Sequence, residues 1–251
     1  MKKITFNAPF IIKIILVFVV VCFGVGLAFG DPCCNDGWTF SIAPYGWMAG
    51  TSGTVQIGDF SSNFHIPFSQ VLENFDGGAE VHVEAGYGPF TLMFDPTYLK
   101  LKQDVGQDTN FFAGTMTTKL YLIDGGVFYQ IAQNCFANGQ SMSFELLGGG
   151  RYFSVNSDVD FDEGFSISSN EEYLAPIIGG RIKYFFTPQA HLWLRADVGG
   201  FGVDDVNNTW SSTLGLGYNI NPNFEIGAAY RVLKIDVDAS HNSNMNTYIY
   251  G

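Results

Sequence analysis

The residues of this chain that could do chemistry are charged side chains set at every second position within apolar runs. In 78–87, Glu80, His82 and Glu84 alternate with Ala79, Val81, Val83 and Ala85. In 173–186, Gly179, Arg181 and Lys183 alternate with Ile178, Ile182 and Tyr184. In 191–203, Arg195, Asp197 and Gly199 alternate with Leu192, Leu194, Ala196 and Val198. In 223–237, Glu225, Gly227 and Arg231 alternate with Phe224, Ile226, Ala228, Tyr230 and Val232. A spacing of two puts side chains on one face of a β-strand. The same parity adds Asp95, Asp124, Glu145 and Arg151 to the charged face. Seven acids (Glu80, Glu84, Asp95, Asp124, Glu145, Asp197, Glu225) then meet five bases (Arg151, Arg181, Lys183, Arg195, Arg231). Charges taken out of bulk water must pair, so the expected arrangement is an ion-paired network. The alternative is a charged ring around a narrow pore for small solutes, with room left by Gly149, Gly179, Gly215 and Gly217.

Other chemistries find less support. Catalysis by a small barrel enzyme would need a nucleophile or general base near one rim. His65 and His241 have Ser62, Asp59 and Asp238 near in sequence, but no spacing specifies a dyad. No catalytic residue, cofactor site or metal site is assigned. The acidic run Asp158, Asp160, Asp162 and Glu163 is not an EF-hand, because Gly164 falls one position late and Ser169 stands where Glu is needed. It is expected to be a solvated outer loop, with divalent cations shared with lipopolysaccharide as the functional alternative.

The charged positions must be held by strands. Alternation without a helical stretch gives strands near 38–49, 78–87, 90–101, 114–131, 141–155, 173–186, 191–203, 209–220 and 224–237, with a partial strand from Asn246. Many have the length that crosses a bilayer when tilted. Connections alternate in length. Gly88-Pro89, Thr187-Pro188-Gln189 and Asn221-Pro222-Asn223 are short, with a somewhat longer one around Cys135, while 50–77, 102–113, 156–172 and 239–245 are longer and 204–208 is a short member of that second set. Short periplasmic turns facing longer outer loops are the outer-membrane pattern. One strand face is apolar with aromatics near its ends and the other is charged or glycine. That suits lipid outside and a polar lumen inside, and contradicts a soluble barrel with an apolar interior. The first strand is ambiguous in phase, since Tyr45 and Trp47 compete with Phe40 and Ile42. The long loop 54–77 is too apolar to be freely solvated, and is expected to add a hairpin or fold over the barrel mouth.

Export fits this reading. Lys2, Lys3 and Lys13 precede an apolar run to Phe29, and Ala28 and Gly30 suit a signal peptidase. Cleavage after Gly30 leaves a short periplasmic tail, 31–37, before a barrel over 38–251. The chain has 12 basic and 24 acidic residues and a net charge of −12. Residues 1–30 hold three lysines and no acid, so the remainder carries −15. That argues against nucleic acid as partner, which needs clustered cations. Thirty glycines and 24 phenylalanines suit strands and turns rather than helices. Beyond the signal, Cys33, Cys34 and Cys135 remain, and an oxidising compartment permits a disulfide from Cys33 or Cys34 to Cys135.

Several segments carry a resemblance. They are Pro44-Tyr45-Gly46-Trp47 with Gly50-Thr51-Ser52-Gly53-Thr54-Val55, and Phe68-Ser69-Gln70-Val71-Leu72-Glu73-Asn74. Gly149-Gly150-Arg151-Tyr152 and Pro176-Ile177-Ile178-Gly179-Gly180-Arg181 follow. Arg195-Ala196-Asp197-Val198-Gly199-Gly200-Phe201-Gly202 is the most specific, and Gly227-Ala228-Ala229-Tyr230-Arg231-Val232-Leu233 closes the set. Together they resemble a family of small, mostly uncharacterised outer-membrane β-barrel proteins in the porin-like superfamily. The resemblance implies a fold and a location, and little about activity. Ala175 stands where such proteins often carry Asp. They also finish with a further glycine-rich strand, so the last strand here is expected to be incomplete.

The expectation is an all-β, transmembrane, antiparallel up-and-down barrel of about ten strands, with eight as the alternative. It would sit among outer-membrane lipid and lipopolysaccharide, in a structural or surface role, with a small-solute porin as the alternative function.

Overall fold

The computed structural model describes residues 37–57, 60–105, 113–136, 139–162, 164–221, 224–239 and 243–251. Residues 1–36, with Cys33 and Cys34, lie outside them, as do Asp59, Glu163 and His241. Among the described residues twelve strands run in chain order: β1 Trp38–Pro44, β2 Gly50–Ile57, β3 Phe60–Ile66, β4 Phe75–Tyr87, β5 Phe90–Val105, β6 Gly114–Cys135, β7 Ser141–Phe161, β8 Ser166–Phe185, β9 Ala190–Val203, β10 Val206–Asn221, β11 Phe224–Ala239 and β12 Ser243–Tyr250. One short helix, α1 Phe68–Glu73, lies between β3 and β4.

All pairings are antiparallel, in the order β1-β4-β5-β6-β7-β8-β9-β10-β11-β12-β2-β3. The first and last members of that order are joined through the chain itself. β1 pairs with β4 (Trp38↔Tyr87 to Pro44↔Val81), and its continuation β2 pairs with β12 (Gly50↔Tyr250 to Ile57↔Ser243). β1 and β2 are thus two halves of one stave, and β3 and β4 are two halves of the next. Twelve segments make ten staves, and the sheet curls into a barrel. The closing stave β12 covers only the half of the seam away from the short turns. The remaining edges, β1 and the first half of β11, pair with β4 and β10 alone.

Alternation decides which way each side chain points. On β9, His191, Arg195, Asp197 and Gly199 are buried, while Leu194, Ala196 and Val198 are exposed. On β10, Thr209, Ser211, Thr213, Gly215 and Gly217 are buried, with Leu214, Leu216 and Tyr218 exposed. The exposed set continues around the barrel through Leu92, Phe94, Leu146, Ile178 and Ile226. Trp38, Tyr87, Phe90, Tyr129, Tyr218 and Phe224 lie at the short-turn end, with ring pairs Trp38–Tyr87 and Phe90–Tyr129 at 5.1 Å. An apolar belt edged by aromatics is what a strand presents to a bilayer and its interface. Among the described residues no helix is long and apolar enough to cross a membrane.

Turn chemistry sets the ends. Tyr87 and Phe90 pair across Gly88-Pro89, with Gly88 at φ 56° as a two-residue hairpin requires. Val203 and Val206 pair across Asp204 and Asp205, both at positive φ (52° and 61°). That is the pattern of a type I′ turn, and Asp tolerates it better than a bulky residue would.

The longer connections differ from the sequence expectation. Residues 156–172 are not a long loop. β7 and β8 continue as a paired ribbon to Asp160↔Ser166, and β6 follows β7 to Gly114↔Phe161. β9 leaves β8 at Ile177↔Gly199, so this ribbon rises above the low β9–β10 hairpin. Asp158 and Asp160 therefore stand on a strand and Asp162 in a turn, correcting the acidic-loop reading. Serine and asparagine at 166–170 hid the strand from a hydrophobicity reading; the backbone ladder carries it instead. The loop 54–77 becomes the β2–β3 hairpin and α1.

The belt and the ribbon give contrasting predictions. Leu214→Arg, at mid-belt, is expected to destabilise by about 2–4 kcal/mol in urea titrations from lipid vesicles. Ile167→Arg, equally exposed but on the ribbon, should stay within about 0.5 kcal/mol of the parent. Equal effects would show that the belt does not face lipid.

Candidate functional site

The lumen is the chemically rich part of the molecule. Its centre is Asp124 on β6, 1% exposed. Arg151 of the neighbouring stave β7 grips it with two parallel bonds, Nε to Oδ1 at 2.8 Å and Nη2 to Oδ2 at 2.9 Å. Arg195 of β9 donates to Oδ2 at 3.0 Å, and Arg231 of β11 donates to the same oxygen at 2.8 Å. Arg151 also donates to Asp197 at 2.9 Å and to the Thr209 hydroxyl at 2.9 Å. Asp197 lies 3.1 Å from Arg195. Asp95 accepts from the Tyr45 hydroxyl at 2.7 Å and sits 4.0 Å from both Arg195 and Arg231. Three aspartates face three arginines in this layer. Fork-shaped guanidinium groups suit the task, because each can bond two carboxylates at once.

A second layer lies toward the short-turn end. Arg181 of β8 bonds Glu145 of β7 at 2.5 Å and Glu84 of β4 on the far side, and its guanidinium stacks 3.9 Å over the Phe128 ring. Lys183 lies 3.8 Å from Glu84 and 3.9 Å from Glu145. His82 bridges Glu84 at 3.0 Å and Asp95 at 3.5 Å, joining the layers. The two acids in excess of cations are placed by other donors. Glu80 accepts the Trp47 backbone N–H, and Glu225 lies 3.5 Å from His191.

Of the charged residues that sequence parity assigns to the inner face, Glu84, Asp95, Asp124, Glu145, Arg151, Arg181, Lys183, Arg195, Asp197 and Arg231 contact one another, whereas Glu80 meets the Trp47 backbone and Glu225 meets His191. The structure resolves the phase of the first strand too. Phe40 and Ile42 face outward, whereas Tyr45 bonds Asp95 and the Trp47 ring lies 5.1 Å from the Arg231 guanidinium. Parity left Tyr45 and Trp47 open and missed Met93, whose sulfur lies 3.2 Å from Arg195. Thr209 and Ser211 were also missed, though alternation with Trp210 and Leu214 could have found them. The expected wholly polar lumen needs correction. Leu122, Phe153, Tyr173, Ala175, Val206, Leu233, Ile235 and Val237 turn inward and pack together with Ile249, above the Asp124 layer.

The remaining candidates do not converge. His65, on the β2–β3 hairpin, meets the Tyr250 hydroxyl at 3.3 Å. Asp158 lies 4.0 Å from Lys119, and no metal-ligating cluster occurs among the described residues. Cys135 is disulfide-bonded, to a partner outside the described residues.

No protein-family model matches the chain, and no curated protein matches it. Two solved structures of Ail, the attachment invasion locus protein of Yersinia pestis, are similar. One, in complex with the heparin analogue sucrose octasulfate, has 12% identity and a TM-score of 0.37, covering 86% of this chain and 97% of that one. The other has 10% identity and a TM-score of 0.31 with the same coverage. The overlays are loose, and the barrel architecture here rests on its own strand pairing.

Removing the central acid leaves three guanidinium groups without their shared partner. Asp124→Asn is expected to destabilise the barrel by about 3–5 kcal/mol in urea unfolding from vesicles, as for a broken buried ion pair. Lys100→Met, which removes the exposed Asp76 partner at the rim, should leave the midpoint unchanged.

Proposed function

We propose that this protein is an outer-membrane barrel whose own side chains close its lumen, so that it acts through its structure or its exposed surface rather than by conducting solutes. The observation that carries this reading is the Arg231–Asp124 bond. β11 and β6 are five staves apart in a ring of ten, and side chains on diametrically opposite staves touch only where nothing else fits between them. Arg181 and Glu84, four staves apart, repeat the closure one layer down. The inward apolar cluster supplies a third barrier on the outer side. A water-filled pore needs the opposite, a ring of charges held apart around open space.

The belt sits in outer-membrane lipid with the short turns and the N-terminal tail on the periplasmic side. The β6–β8 ribbon then stands outside among lipopolysaccharide, where Asp158, Asp160 and Asp162 could share divalent cations with its phosphates. Residues 1–30 serve as the signal peptide. Cys135, at the periplasmic end of β6, is bonded to Cys33 or Cys34.

Reconstitution in planar bilayers tests the lumen. The parent barrel should be silent at high protein load, and steady single-channel steps that change on neutralising Arg195 or Asp197 would overturn the reading. For the disulfide, Cys135→Ser should abolish the mobility shift that reduction produces on a denaturing gel. A parent protein that does not shift would refute that pairing.

A further inference from the structure

Outside the lumen the cations of this protein are unevenly placed. Arg151, Arg181, Lys183, Arg195 and Arg231 lie inside the barrel, which leaves Lys100, Lys102, Lys119 and Lys234 among the described residues. Three of these four share one outward patch. On β5, Asp95 and Thr97 are buried in the lumen, so by alternation Lys100 and Lys102 point outward. On β6, Asp124 and Leu122 are buried, so Lys119 points outward. Lys100 and Lys119 are direct cross-strand partners, and Lys102, opposite Thr117, lies diagonal to Lys119. Like charges set directly opposite each other destabilise a sheet. Asp76 lies 2.6 Å from Lys100 and Asp158 lies 4.0 Å from Lys119, while Lys102 stands exposed beside them. Lys234, on the opposite wall, is matched by Asp236 at 3.0 Å.

Depth ties the patch to lipid headgroups. The same two strands carry an aromatic pair at each edge of the apolar belt, Phe90–Tyr129 at 5.1 Å beside the short turn and Tyr98–Tyr121 at 4.9 Å beyond the belt. Residues 90 and 98 are about 26 Å apart along an extended strand, beside a lipid-facing belt about 25 Å tall. Between them Leu92 and Phe94 are exposed. The lysines begin at the next outward position after the tyrosines, and Asp104, Asp158 and Asp160 follow them, farther from the belt. Apolar, tyrosine, lysine and aspartate side chains thus succeed one another along one face. A lipid presents hydrocarbon, then its interface, then phosphate in the same order, and ammonium groups bind phosphate as point charges. We infer that Lys102 and Lys119, with Lys100 beside them, seat a phosphate of the lipopolysaccharide headgroup, with Tyr98 and Tyr121 beneath it at the boundary of the acyl chains. The inference rests on the membrane placement proposed above and gives that placement a specific lipid contact.

Native mass spectrometry of the refolded barrel in detergent counts the lipids that stay bound. Titrated with bis-phosphorylated lipid A, the parent should retain the lipid, and the double variant Lys102→Gln, Lys119→Gln should bind it at least tenfold more weakly. The double variant Lys102→Arg, Lys119→Arg should bind as the parent does, which separates loss of charge from loss of fold. Lys234→Gln, a loss of charge on the opposite wall, should also match the parent. Lipid A stripped of its phosphates should bind the parent no better than the intact lipid binds the glutamine variant. Equal binding by the parent and the glutamine variant, or of the two lipids by the parent, would overturn the inference. Phosphatidylglycerol binding as tightly as lipid A, or inorganic phosphate displacing lipid A at equal concentration, would assign the patch to another phosphate and overturn it as well. The lumen is read separately, by conductance: a conducting parent would sink the plugged barrel and leave the headgroup result standing.

Discussion

Everything inside this barrel depends on one carboxylate that three arginines share. Asp124 has two oxygens, and Arg151, Arg195 and Arg231 occupy both. An ionised carboxylate withdrawn from water costs several kcal/mol unless its charge is met, and so does each guanidinium. No one of these four side chains is stable there without the others. Because they stand on four different staves, the pairing also fixes how those staves sit around the lumen. Asp197 and Asp95 bring the acids of that layer to three, matching its three arginines.

The same constraint acts on the outside through the backbone. In lipid every N–H and C=O needs a protein partner, which only a helix or a closed sheet provides. The ladder from β4 to β12 and on to β2 meets this need nearly everywhere. Inward glycines serve the lumen's filling. A Cβ on Gly215 would run into the Trp193 indole, and one on Gly217 would strike His191 and Glu225. These glycines are therefore space for neighbouring rings, not space for water, and that distinction separates a plugged barrel from a pore.

Much of this was legible in the sequence because period-two alternation is a strong signal where one face is apolar. The charged members from Glu80 to Arg231 could be assigned to one face without knowing the fold. The ten-stave ring was legible only as a strand number, since the break at 45–49 that divides the first stave is a tertiary event. The β6–β8 ribbon was illegible because Ser166, Ser168, Ser169 and Asn170 carry no apolar alternation; pairing with β7 holds them extended. The inward apolar cluster was missed for a related reason. Parity assigns a face but not a depth, and Phe153 and Leu122 share their face with Arg151 and Asp124. Which residues bonded across the diameter could not be read at all, because that depends on stave order and shear.

The central claim is that the lumen is filled at the Asp124 layer, and accessibility measures it most directly. Thr209, 1% exposed beside Arg151, can be replaced by cysteine and challenged with a charged, membrane-impermeant thiol reagent in vesicles, with labelled sites read by peptide mass. A filled lumen predicts that Thr209→Cys stays unmodified in the folded barrel and reacts only on unfolding. Modification at the rate of Ser169→Cys on the exposed ribbon would mean that hydrated ions reach the layer, and would contradict the account.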